Sequence, residues 1–172
     1  MAREKKVFTD YGEVARLWAR KSQHEAEYRG GKMYFRGDTI YSYGSHFEIA
    51  KHVQNSTGEN AVLFTTSTYS NTTRDQCAVV LGAVRGKVIY CKSPDASEEK
   101  NIAYFLSEVE ECIEQIKKKA NRKFEHRLQE LKMNAHRLRD YMEFFGIEIP
   151  FELQVKLTFI ESGDVVNKLR NN

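Results

Sequence analysis

MYFRGDTIYSYGSHFEIAKHV, residues Met33 to Val53, decides the fold class. Met33 to Arg36 reads as a strand, and Gly37-Asp38 is a pair that reverses a chain with little strain. Thr39 to Tyr43, rich in β-branched and aromatic residues, reads as a second strand. Gly44 permits a sharp turn. Ser45 and Glu48 then have the S-x-x-E spacing of a capping box, which predicts a short helix carrying Ile49, Ala50 and Val53 on one side. Tyr41, Tyr43, Ser45 and His46 fall within this one strand-turn-helix.

Upstream, Asp10 to Tyr28 reads as a helix with Asp10 as its cap and Val14, Leu17 and Trp18 on its apolar face. Arg16, Arg20 and Lys21 lie largely off that face. Arg29-Gly30-Gly31-Lys32 ends it. Downstream come a loop, Gln54 to Asn60, and a buried strand, Ala61 to Thr66. The hydroxyl-rich loop Ser67 to Thr73 follows. Thr72 or Thr73 can cap a helix that runs to about Val84, and Arg85-Gly86-Lys87 turns the chain into a last strand, Val88 to Cys91. Strand, strand, helix, strand, helix, strand predicts a small mixed sheet of about four strands layered against helices.

From Ser97 to Phe145 there is neither glycine nor proline. Apolar residues fall at intervals of three and four, from Ile102 through Cys112 and Ile116, then from Phe124 through Leu131 to Phe145. That is the seam of a coiled coil or a long helical hairpin. One continuous helix would be roughly 70 Å long. The reading favours a continuous or kinked helix, with a hairpin broken near Lys119 to Arg122 as the alternative. Such a seam must be buried in the same chain or in a homodimer. Pro150 opens a further helix with Leu153, Leu157 and Ile160 as its stripe, and a last short helix reaches Leu169. The expected architecture is α+β. It has a mixed-sheet domain with an N-terminal helix over 1–93, then a helical region over 94–172 made of a long coiled-coil-like element and short C-terminal helices.

A formal net charge of +3 does not by itself announce nucleic acid. No apolar run approaches the roughly 20 residues that span a bilayer, and no signal core follows MAREKKVF. Cys77, Cys91 and Cys112 form no C-x-x-C, which fits reduced thiols. A cytoplasmic location in a host bacterial cell, without membrane association, is the expectation.

GDTIYSYGSHFEIAKHV followed by VLFTTSTYSNTTRDQ resembles a small domain found in proteins of phages and other mobile elements, over roughly Lys32 to Val84. The resemblance implies an origin and assigns no chemistry. A small basic protein of this build also resembles the anti-CRISPR class of inhibitors. That likeness implies a CRISPR effector nuclease or other ribonucleoprotein as partner, engaged through its protein or its guide RNA.

Two groups of residues are the candidates for function. Charge is segregated in the helical region, with acids from Asp95 to Glu114 and bases after them. Lys117, Lys118, Lys119, Arg122, Lys123, Arg127, Lys132, Arg137 and Arg139 would form a stripe for phosphate backbones. A solvated helix face that follows the helix dipole is the plainer reading. The second group is the polar cluster of the α+β domain. Ser45, Thr72 and Thr73 at two helix starts, with Arg74, would bind an anion. His46 with Tyr41 or Tyr43 would serve a small metal-independent nuclease. Helix caps and sheet packing account for the same residue types. No P-loop, G-x-G-x-x-G, H-E-x-x-H, zinc spacing or G-x-S-x-G is present, so neither metal nor cofactor is called for. The expected function is that of an accessory inhibitor that binds a nucleic-acid-processing complex, with the small nuclease or RNA-binding protein as the alternative.

Overall fold

The computed structural model describes residues 4–43, 47–118 and 123–164. The chain forms two compact units, Met1–Ala96 and Ser97–Asn172.

The first unit is a seven-stranded mixed sheet whose strands follow one another in chain order: β1 (Val7–Phe8), β2 (Glu25–Tyr28), β3 (Met33–Arg36), β4 (Thr39–Ser42), β5 (Glu48–Gln54), β6 (Asn60–Thr65) and β7 (Val88–Cys91). β2 to β6 form an antiparallel meander. The pairs at the two edges are parallel, and a parallel pair needs a crossover. Helix α1 (Tyr11–Ala19) joins β1 to β2, and helix α2 (Asn71–Ala83) joins β6 to β7. The two helices pack on each other over one face of the sheet.

That arrangement follows from a period of two in the strands. Ala26, Met33, Phe35, Ile40, Val62 and Phe64 point toward the helices and are buried against Val14, Ala15, Trp18, Cys77 and Val80. Trp18 anchors the layer. Its Nε1 donates to the Asp38 carbonyl at 2.9 Å, and its ring lies on His52 with centroids 4.4 Å apart. Ser42 bonds Gln76 of α2, and Gln76 Nε2 donates to the Lys32 carbonyl at 3.0 Å. Buried polar groups thus carry their partners with them.

Three local expectations give way to the sheet. The predicted helix Asp10 to Tyr28 ends at Ala19. Lys21 takes a positive φ of 52°, and Glu25–Tyr28 continue as β2. The helix predicted after Ser45 is strand β5. A register shift between Ile40 and Tyr41 sets Ala50 opposite Ile40 and Glu48 opposite Tyr41, so Ile49 and Ala50 are both fully buried. A capping box offers about 1 kcal/mol. Pairing with two neighbouring strands while burying these two side chains offers more. The α2 cap is Ser70, not Thr72 or Thr73; its Oγ accepts from Thr73 N–H at 3.1 Å.

The second unit is helical: α3 (Glu98–Lys117), α4 (Phe124–Phe144) and α5 (Phe151–Ser162). The expected long coiled-coil-like element is two helices packed on each other, with α5 on α4. Asn101 Nδ2 donates to the Tyr141 hydroxyl at 3.3 Å across the α3–α4 pair. Val109, Cys112 and Ile116 from α3, and Leu128, Leu131, Ala135 and Leu138 from α4, are buried within the single chain. The seam therefore needs no second copy to cover it. The predicted final helix to Leu169 extends outside the described residues. No helix of the described residues is long and apolar enough to cross a membrane.

Candidate functional site

On the sheet face away from α1 and α2, three side chains from β3 and β4 form a ladder. Tyr34 and Tyr41 sit directly opposite each other, with rings stacked 5.0 Å apart and 17° from parallel. The Arg36 guanidinium lies 5.6 Å from the Tyr34 ring. Both tyrosines are half-buried, and burial first, then the neighbouring Tyr41, holds the Tyr34 hydroxyl above its usual pKa. Tyr34 and Arg36 of the ladder line a groove of about 590 Å³, to which Lys6, Glu25 and Glu27 also contribute. Lys6 is paired with Glu25. An aromatic pair with a flanking guanidinium offers flat surfaces on which rings can stack.

Tyr41 and Tyr43, the two tyrosines offered to His46 in the nuclease reading, face different surroundings. Ser42 faces α2, so its neighbour Tyr41 faces the other side. Tyr43, with φ of 48°, instead lines a cleft of about 340 Å³ beside the start of α2. Phe47 and Tyr69 meet edge-on in that cleft, 4.9 Å apart, and Ser42, Ser70 and Thr73 supply its hydroxyls. The end of β4 and the hydroxyl-rich loop are thus brought together. Thr73 is buried and bonded to Ser70, while Thr72 and Arg74 are exposed. Ser45 and His46, on which the anion and nuclease readings depended, lie outside the described residues.

The basic run of the helical unit is dispersed among partners. Arg139 is only 14% exposed; its Nε donates to both Glu161 oxygens at 3.0 and 3.1 Å, and its Nη2 to the Thr158 hydroxyl at 3.3 Å. Arg127 pairs with Glu130 at 2.7 Å and Lys117 with Glu114 at 2.8 Å. Lys118 donates to Gln115 at 3.3 Å. Lys132 and Arg137 are half-buried, and Lys123 is exposed. Lys119 and Arg122 lie outside the described residues. Of these pairs, Arg139–Glu161 joins α4 to α5, while Arg127–Glu130 and Lys117–Glu114 are each three residues apart on one helix.

Glu48, opposite Tyr41, is the one described residue whose side chain leaves a buried oxygen, Oε2, without a hydrogen-bond partner. Burial first and Asp95 second push its carboxyl above the usual carboxylate range, against the pull of Lys51. A carboxyl with a raised folded pKa binds its proton more tightly when folded. Stability therefore falls as pH rises from the usual carboxylate range through that raised value. Glu48→Gln is expected to raise the melting temperature at neutral pH and to change it little in acid, where Glu48 is protonated in both states. Melts at the two pH values decide this; an equal gain at both would trace the effect to something other than ionisation.

Tyr34 and Arg36 were not singled out by sequence. Their signal was the period-two placement of Tyr34, Arg36 and Tyr41 across a two-residue turn, which sets all three on one face. The chain matches no protein-family model, no curated protein and no solved structure.

Proposed function

We propose that this chain is a non-catalytic binding protein of a phage or mobile element, and that its sheet unit captures single-stranded RNA or an RNA-bearing ribonucleoprotein. The observation that carries this reading is the Arg36–Tyr34–Tyr41 ladder. Single-stranded bases are recognised chiefly by stacking on aromatic rings and guanidinium planes. A cross-strand tyrosine pair would stabilise a hairpin in any sheet. The flanking arginine and the adjoining groove are what suit it to a ligand. Separation of Tyr41 from Tyr43 weighs against a shared catalytic role, because general acid–base chemistry requires convergent groups. The most specific form of the proposal is an anti-CRISPR inhibitor that meets an RNA-guided nuclease at its guide RNA, which such an effector holds largely by its backbone, leaving base faces to a partner.

Fluorescence anisotropy with labelled single-stranded RNA tests the reading. Tyr34→Ala with Tyr41→Ala is expected to weaken binding by roughly 10- to 100-fold, since stacking is worth about 1–3 kcal/mol per base. Inhibition of guide-loaded nuclease cleavage should be lost in the same variant. A wild-type protein that binds no RNA, or a double variant that binds as well as wild type, would overturn it.

A further inference from the structure

The other face of the sheet unit carries a second basic surface. Gly12, Arg16 and Arg20 follow one another at intervals of four along α1, which sets them in one row. They face Val79, Gly82 and Ala83 of α2, and with Arg85 just past its end they line a hollow of about 250 Å³. A neighbouring hollow of about 370 Å³ is lined by Lys21, His52 and Lys87 among others. Arg20 and Arg85 border both, so the two hollows form a run rather than isolated dents. No aspartate or glutamate lines either one.

Charge balance leaves this run positive. Arg16 has Asp10 at 3.6 Å, Lys21 has Asp38 at 3.3 Å and Lys87 has Glu59 at 2.9 Å, all solvent-exposed pairs of little energy. Glu13 stands beyond the groove, in a hollow shared with Arg16 and Arg20. Arg20 has no acidic partner among the described residues. Arg85 Nη1 donates to the Gly82 and Val84 carbonyls at 3.1 and 3.4 Å, so it is held at the negative end of α2 with donors to spare. Gly12 matters to the shape: a Cβ there would lie 3.1 Å from Nη1 of Arg16, whose side chain crosses that point.

We propose that this groove between α1 and α2 binds the phosphodiester backbone of nucleic acid, with Arg16, Arg20 and Arg85 as the phosphate contacts and Lys21 and Lys87 extending the track. Arginine presents a planar fork of donors that matches phosphate oxygens. Several such forks in a row fit successive phosphates better than one isolated anion. A membrane surface is a poorer match, because no exposed large apolar side chain lines either hollow. The ligand class is shared with the tyrosine ladder, but the residues are different and lie across the sheet.

A labelled DNA duplex separates the two sites, because its base faces are already stacked on one another and unavailable to tyrosine rings, while its backbone stays on offer. Anisotropy from about 50 mM salt upward should show wild-type affinity falling steeply, with a log–log slope near 0.9 per phosphate contact. Arg20→Glu with Arg85→Glu is expected to weaken duplex binding at least about 10-fold and to flatten the slope by about 2. Arg20→Gln with Arg85→Gln, a milder change at the same exposed positions, should flatten it too. Tyr34→Ala with Tyr41→Ala should leave duplex binding unchanged. The proposal is overturned if wild type does not bind the duplex, or if both arginine pairs leave affinity and slope as they were. It is also overturned if Lys5→Glu with Lys100→Glu, outside the groove, costs as much, or if the protein takes up anionic vesicles in place of the duplex.

Discussion

Replacing Trp18 by alanine is expected to remove about 3–5 kcal/mol from the stability of the sheet unit, the usual cost of truncating a buried aromatic side chain. Trp18 is 1% exposed and is the chain's one tryptophan. Its loss would leave a cavity between α1 and the sheet, and surrounding side chains collapse into such a space only in part. It would also remove one of the two hydrogen bonds that the Asp38 carbonyl accepts, the other coming from His52 N–H at 3.0 Å, and the ring against which His52 lies. Trp18→Phe retains most of the packing and loses the Nε1–H bond, so it should cost distinctly less, on the order of 1–3 kcal/mol. Urea unfolding followed by circular dichroism measures both. A loss below about 1 kcal/mol for Trp18→Ala would show that the site collapses freely, against the close packing expected of a core.

Leu131→Asp should cost at least about 3 kcal/mol, because the carboxylate would be buried without a partner. Leu131 is fully buried on α4, in the seam shared by Leu128, Ala135 and Leu138. Its neutral counterpart, Leu131→Ala, should cost about 2–5 kcal/mol through the cavity alone. The two are distinguished by pH. Protonation in acid should recover part of the aspartate variant's loss and none of the alanine variant's. Helical circular dichroism reports mainly the second unit, which holds α3, α4 and α5, with a smaller part from α1 and α2 of the first, while Trp18 fluorescence in the same melt reports the first alone. An unchanged melting temperature for Leu131→Asp would mean that the α3–α4 seam is open to water.

Strand identity in the middle of the first unit could be read from residues 33–43 and 61–66, where β-branched and aromatic residues alternate around Gly37-Asp38. The edges could not. Val7–Phe8 is two residues long and Glu25-Ala-Glu-Tyr has good helix formers, so neither carries a strand signal of its own. Both become strands by hydrogen-bonding to a neighbour: Glu27 N–H donates to the Lys6 carbonyl at 2.8 Å and Arg29 N–H to the Phe8 carbonyl at 2.8 Å. β5 shows the same contest in sharper form. Ser45-x-x-Glu48 is a local helix signal, and it yields to ladders with β4 and β6 on both sides.

The candidate surfaces were legible to different degrees. Tyr41 was visible as a strand tyrosine, but its stacking partner Tyr34 depends on the register Tyr34↔Tyr41. Arg16 and Arg20 could be placed off the apolar face of α1 from sequence. That Arg85, 65 residues after Arg20, lines the same hollow depends on the crossovers of α1 and α2 packing side by side.

Pattern and propensity alone determined the α+β class, the strands that begin at Met33 and Thr39, and the three-and-four seam of the helical region, because burial of apolar side chains enforces those spacings wherever the chain goes. Tertiary structure decided the number of strands, the conversion of residues 48–54 from helix to strand and the division of the seam into α3 and α4. It also decided which charges meet: Arg139 with Glu161 inside a bundle, Arg20 with Arg85 along a groove. Those outcomes turn on hydrogen bonds and Coulomb contacts between residues far apart in the chain, whose distances are set only when the sheet and helices close on one another.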